Sequence, residues 1–123
     1  ETDEWAHEGN YSAYLDAANQ VDTWVAGLWN WIQSTPGYKD NTYLLITTDH
    51  GRGFGDAWTD HGADVKGASS IWFGLMGPDE NSNLNKIKQT GNQQLYQKQL
   101  ATTMAKLLGL QFVPAHPVGN PIY

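Results

Sequence analysis

The sequence predicts an α/β fold, and three observations carry that expectation. Two short apolar runs, near 43–48 and near 69–76, have the length and composition of strands. The first of them does not alternate between apolar and polar residues, so both of its faces are expected to be covered, as in a central strand. Two longer stretches, near 11–34 and near 93–108, repeat apolar residues at the helical period.

In chain order, Glu1–Asn10 is short and acidic. Asp3 and His7 are four apart, which on a helix places both on one face about a turn apart; the plainer reading is a solvated terminal turn. Asn10-Tyr11-Ser12 is a glycosylation sequon whose use depends on the compartment. Tyr11–Ser34 carries a stripe through Tyr14, Leu15, Ala18, Val21, Val25, Leu28, Trp29 and Ile32. Asn10 or Ser12 is placed to cap its start and Thr35-Pro36-Gly37 to stop it. Trp24 and Trp31 widen the apolar face and predict burial on two sides.

Tyr43–Thr48 reads as a strand leading into Asp49 and His50. Ligands in α/β sheets bind beyond the carboxyl ends of strands, where this pair stands. Gly51, Gly53 and Gly55 have the wrong spacing for a dinucleotide fingerprint and instead allow a tight turn around a site. Asp56–Ala68 is expected to be a loop carrying His61, and the second apolar run is ended by Gly77-Pro78. Asp79–Gly91 reads as a polar linker. Asp79, Asn81 and Asn83 imitate a calcium loop, but Leu84 and Thr90 stand where that loop needs Gly and Glu. Leu95, Leu100, Met104, Leu107 and Leu108 form the core stripe of the second helix, with Gly109 as its C-cap. The tail, Leu110–Tyr123, is proline-rich and irregular, and His116 in it reads as a surface residue.

The totals exclude several classes. With 123 residues the chain has one domain's worth of length. A net charge of −6 with only seven Lys plus Arg does not make a nucleic-acid surface. No run reaches transmembrane length. The absence of cysteine removes disulfides and thiolate zinc sites. Six Trp and six Tyr can fill a core or line a surface for sugars and other flat ligands. An aromatic-rich carbohydrate-binding or other non-catalytic module is therefore the alternative to an enzyme.

The enzyme reading rests on Asp and His. Hard divalent cations favour carboxylate oxygen, whereas zinc accepts carboxylate and imidazole alike and manganese tolerates the mixture. A set of Asp3, His7, Asp49, His50 and His61 without cysteine therefore points to zinc or manganese. Asp49 and His50 are adjacent and would face apart within a regular strand, but both reach one side where the chain turns. They could serve one ion or bridge towards two. Arg52 is the chain's only arginine. Its guanidinium suits either an oxyanion held by two donors or an ion pair with Asp56 or Asp60. Lys66 is the weaker candidate for substrate binding.

An Asp-x-x-x-His pair at Asp3 and His7, an Asp-His-Gly after a core strand at Asp49–Gly51, and a later His61 resemble the C-terminal part of the alkaline phosphatase superfamily. That group includes alkaline phosphatases, nucleotide phosphodiesterases, sulfatases and cofactor-independent phosphomutases. The long helix after the first pair and the Leu-Leu-Gly helix before a Gly-x-Pro-Ile tail follow the same order, so the resemblance spans nearly the whole chain. It implies a partial three-layer α/β/α sandwich and two divalent ions, with Asp3, His7 and His61 on the first and Asp49 and His50 on the second. It also implies hydrolysis or transfer at a phosphate or sulfate ester. The superfamily's nucleophilic Ser or Thr, and a further metal-binding Asp, belong to a strand ahead of the Asp-x-x-x-His pair. The chain is therefore expected to be the metal-binding portion of a larger domain, inactive alone, partnered by the N-terminal half or by its own copies.

Overall fold

The acidic opening stretch folds as a helix, α1 (Thr2–His7), with Asp3 and Glu4 in its first turn and His7 in its last. The acidic placement complements the helix dipole. The computed structural model describes residues 1–78, 82–88, 91 and 93–123. It divides into two compact units, Glu1–Pro78 and Asp79–Tyr123.

In the first unit, Glu8-Gly9-Asn10 joins α1 to α2 (Tyr11–Ser34). Gly9 takes a positive φ of 68°, and the N–H of Asn10 reaches back to the Trp5 carbonyl at 2.9 Å, closing α1 in the manner of a glycine C-cap. The Asn10 side chain then accepts from the N–H of Ala13 at 3.1 Å, which starts α2. The helix stops where Thr35 turns extended and its hydroxyl donates to the Trp31 carbonyl at 2.7 Å.

The expected two-sided burial of α2 is not observed: Trp24 is 64% and Trp31 51% exposed, and the described core residue of the helix is Ile32. Length supplies the reason. The six residues of α1 reach about 9 Å along a 24-residue helix of about 36 Å, so most of the α2 surface lies beyond its cover.

Two strands follow, β1 (Leu44–Thr47) and β2 (Phe73–Met76). They pair antiparallel, with Leu44 opposite Met76 and Thr47 opposite Phe73. The second strand starts later than the sequence predicts, because the chain just before it turns: the Ser70 N–H bonds the Gly67 carbonyl at 2.9 Å. Residues expected to be buried in both strands are half-buried. Among the described residues the sheet has two strands, so each keeps one edge and part of its faces open. The register matters for function: Thr47 and Phe73 are partners, so the excursion 48–72 leaves and returns at one end of the ribbon.

The second unit contains α3 (Ser82–Lys88) and α4 (Leu100–Leu107), the latter entered through a 3-10 turn at Gln97–Gln99. The segment read as a polar linker thus carries a helix, on which Ile87 is buried. The calcium-loop imitation falls partly on Asp79 and Asn81, outside the described residues. The second predicted helix begins at Leu100 and not at Gln93, because Tyr96 is extended and its N–H bonds the Gln99 side chain at 2.8 Å. Leu100, Thr103 and Leu107 face inward, and Gly109 closes the helix at φ 67°. No described helix of either unit is long and apolar enough to cross a membrane.

The tail lies along α4. Thr103, 1% exposed, donates its hydroxyl to the Gln99 carbonyl at 2.6 Å and accepts from the Ile122 N–H at 3.1 Å. Thr103→Val should therefore leave a buried N–H without an acceptor and cost about 1–3 kcal/mol. Thr103→Ser should cost less. Urea unfolding with amide exchange at Ile122 checks this, and a valine variant as stable as the parent would refute it.

Candidate metal centre

The excursion 48–72 is folded back on itself by close backbone approaches. The Gly51 N–H bonds the Ala68 carbonyl at 2.7 Å, and the Gly53 N–H bonds the Asp60 carbonyl at 3.0 Å. A Cβ on Gly51 would stand 2.3 Å from the Ser70 carbonyl oxygen, and one on Gly53 would stand 2.2 Å from that of Ala57. Both glycines are thus required by the closeness of the passing chain, which explains the Gly-Arg-Gly sequence around Arg52.

A 3-10 helix at Gly55–Thr59 then carries Trp58 onto the start of α2. Its ring meets Tyr11 edge-on at 5.4 Å and Tyr14 at 5.8 Å. These contacts bring the segment ending in His61 up to α1. At Asp60 the side chain accepts from the N–H groups of His61 and Gly62, at 2.6 and 3.2 Å. Those two bonds hold the Asp60 carboxyl below the usual carboxylate range and fix the turn that presents the His61 ring.

Four predicted residues converge as a result. Asp3 Oδ1 lies 3.5 Å from His7 Nε2, 3.7 Å from His50 Nε2 and 3.6 Å from His61 Nε2. The His7 and His61 Nε2 atoms are 3.0 Å apart, and the His50 and His61 rings stack with centroids 3.7 Å apart. His50 Nδ1 is 2.9 Å from the Gly51 carbonyl, an acceptor only, so Nδ1 carries a proton and Nε2 is the atom turned towards Asp3. Donor atoms about 2.0–2.1 Å from one zinc in a tetrahedron sit on the order of 3.3 Å apart. The spacing of Asp3, His7 and His61 fits that shell, and His50 joins Asp3 and His61 in a second, overlapping group.

No family model, curated protein or solved structure matches this chain. The site is accordingly read from its own geometry.

Asp49 stands at the rim. Its side chain is 89% exposed, with Oδ2 3.7 Å from His50 Nε2. Its carboxyl is held below the usual range, first by its own backbone N–H and then by that of His50. Lys66 is exposed in the turn after His61 and does not line the neighbouring cleft. That cleft, of about 200 Å³, runs past Asp3, Asp49, His50 and Arg52 between Tyr14 and Trp72.

Arg52 is where the geometry departs furthest from expectation. It pairs with neither Asp56 nor Asp60. One guanidinium nitrogen, Nη2, bonds Asp3 Oδ1 and, at 3.2 Å, the Asp3 carbonyl, while Nη1 reaches the Trp58 carbonyl at 3.4 Å. The Asp60 carboxylate is occupied by backbone N–H groups, and Asp56 is exposed on the 3-10 helix. No local spacing signals a pair across 49 residues, so sequence reasoning missed it. The role of Trp58 was equally hidden, although an aromatic residue three before His61 was a visible candidate anchor.

Two outcomes follow. Trp58→Ala should lower stability by about 1–3 kcal/mol, the sum of two edge-on ring contacts at about 0.5–1.5 kcal/mol each. It should also shift the His61 ring resonances, and an unchanged melting curve would refute the anchoring role. The lowered Asp60 pKa means that its contribution to the turn is fully present above the ordinary carboxylate range and is lost as pH falls through the folded-state value. Protection of the His61 amide, its exchange rate relative to the intrinsic rate at the same pH, should therefore fall on acidification in the parent and be insensitive to that step in Asp60→Ala. Equal pH dependence in both proteins would remove the assignment.

Proposed function

We propose that this chain is the metal-binding part of a two-metal hydrolase or transferase acting on phosphate or sulfate esters. The observation that carries the reading is that three imidazoles, from α1 and from two points of the 48–72 excursion, lie around one Asp3 oxygen, with Asp3, His50 and His61 spaced as a candidate ligand group. The His50 ring is also oriented by a backbone carbonyl, as outer hydrogen-bond partners orient metal-ligating imidazoles.

In this reading Asp3, His7 and His61 hold one ion, zinc or manganese, and Asp49 and His50 contribute to the second. Bound divalent ions of this type polarise the ester's oxygens and lower the pKa of a coordinated nucleophile. The chain's own residues do the positioning. The Gly51 carbonyl orients His50, the Asp60 turn orients His61, and backbone N–H groups hold the Asp49 carboxyl below the usual carboxylate range. The cleft between Tyr14 and Trp72 admits the ester beside them. The nucleophilic Ser or Thr and a further Asp are assigned, through the superfamily resemblance, to polypeptide that would pair with this chain. The exposed apolar residues of α2, Trp24 and Trp31 among them, supply surface for such a partner or for a second copy.

Metal binding is the test. Calorimetry with zinc and manganese should give saturable binding that falls at least tenfold in Asp3→Ala and in His61→Ala, and is unchanged in His116→Ala. Absence of binding, or binding indifferent to both ligand variants, would remove the reading. A second reading, a carbohydrate-binding module, gains from the exposure of Trp24 and Trp72. Sugar-array binding lost in Trp→Ala variants, with no metal affinity, would favour it.

A further inference from the structure

The Asp3 carboxylate has more suitors than it can serve. Its Oδ1 is the atom that faces His7, His50 and His61 Nε2 at 3.5–3.7 Å, and it is also the atom bonded by Arg52 Nη2. Ligation would use that oxygen, because it is the one at the centre of the imidazoles. A guanidinium is charged at every accessible pH, so the pair cannot be relieved by loss of a proton. A divalent cation on Oδ1 would bring two positive groups onto one oxygen, and the mostly covered Arg52 side chain, 14% exposed, has little solvent to screen them.

We propose that Arg52 competes with the metal for Asp3, and that loading the site breaks the Arg52–Asp3 side-chain bond. The inference rests on the metal-binding reading above. Arg52 would not leave the site, because Nη1 and Nη2 keep the Trp58 and Asp3 carbonyls as acceptors. Arg52 is among the residues that line the cleft running past Asp49 and His50. Its freed N–H then faces that cleft, where a tetrahedral oxyanion would meet it. The same residue thus sets metal affinity downward while the Asp3 pair lasts and becomes an anion-binding group once the metal has displaced it.

Zinc calorimetry on the 123-residue chain tests the competition. Arg52→Gln should bind zinc about three- to tenfold more tightly than the parent, the scale of losing one ion pair of partial exposure. Arg52→Lys, which keeps the charge without the two-donor fork, should fall between. Lys39→Gln removes the same charge from an exposed turn of the same unit and should change affinity less than twofold, which separates competition from net charge. An Arg52→Gln protein that binds zinc equally or more weakly would overturn the proposal and make Arg52 a positioning residue for Asp3. Should that variant fail to fold, zinc titration of the parent followed by nitrogen-15 spectra of the Arg52 guanidinium replaces it. A shift saturating with zinc supports the displacement, and an unmoved signal overturns it. If the parent binds neither zinc nor manganese, the metal reading fails and this inference with it; if it binds manganese alone, the same variants are titrated with manganese. If the parent binds but Arg52→Gln is no tighter, this inference alone fails.

Discussion

The Asp3 carboxylate is the point through which the first unit is tied together. It belongs to a helix of six residues that has little to hold it in place beyond its packing on α2. Besides His7 of the same helix, the groups that meet it, His50, Arg52 and His61, come from the excursion 48–72. The pair with Arg52 spans 49 residues, and closing such a loop has an entropic cost that grows only slowly with length. What makes the closure specific is that each arriving group has been oriented before it arrives. Backbone carbonyls hold the His50 ring and the Arg52 fork, and a capped turn holds His61.

That orientation depends in turn on the register of the two strands. Because Thr47 pairs with Phe73, the excursion must start and finish within a strand width of itself. The chain is then forced to fold back over short distances, and Gly51 and Gly53 mark where backbone passes backbone too closely for a side chain. Trp58, at the far side of the excursion, leans on Tyr11 and Tyr14. The ribbon closes one end, the aromatic cluster fixes the other, and the imidazoles lie between. A site assembled this way owes its precision to local backbone bonds, with few of its residues deeply buried.

Much of this was legible in the sequence where the signal is local. The cap at Asn10, the stop at Thr35–Gly37, the strand ending in Asp49-His50 and the glycine at 109 each follow from one residue's chemistry at one position. The i, i+4 spacing of Asp3 and His7 correctly places both on one helical face, where they lie 3.5 Å apart. Legibility fails where the outcome is set by what packs against a segment. The stripe of α2 reads as a buried face, yet Trp24 and Trp31 stay exposed because little covers them. Leu95 looks like part of a helix, yet the bond between Tyr96 and Gln99 makes the preceding chain extended. Asp79–Gly91 looks too polar for structure, yet Leu84 and Ile87, three apart, suffice to give α3 one apolar side. The pairing of Arg52 with Asp3 had no sequence signal at all.

Charge balance bears on how many ions such a centre holds. Among the described residues the converging groups offer one carboxylate at the centre, Asp3, and one at the rim, Asp49. The imidazoles are neutral when they ligate. Two divalent ions would bring four positive charges against those two negative ones, with the Arg52 guanidinium adding a fifth. One ion against Asp3, Asp49 and three imidazoles is nearly balanced. A second ion needs further anionic oxygen, from another carboxylate or from the oxyanion of a bound ester. The same arithmetic explains why a cation of the protein itself sits on Asp3: a carboxylate facing three polar rings is stabilised by a positive partner. On the proposed reading, a two-ion centre on this scaffold would form together with its remaining anionic ligands, whereas a one-ion centre would draw on groups that this chain already brings together.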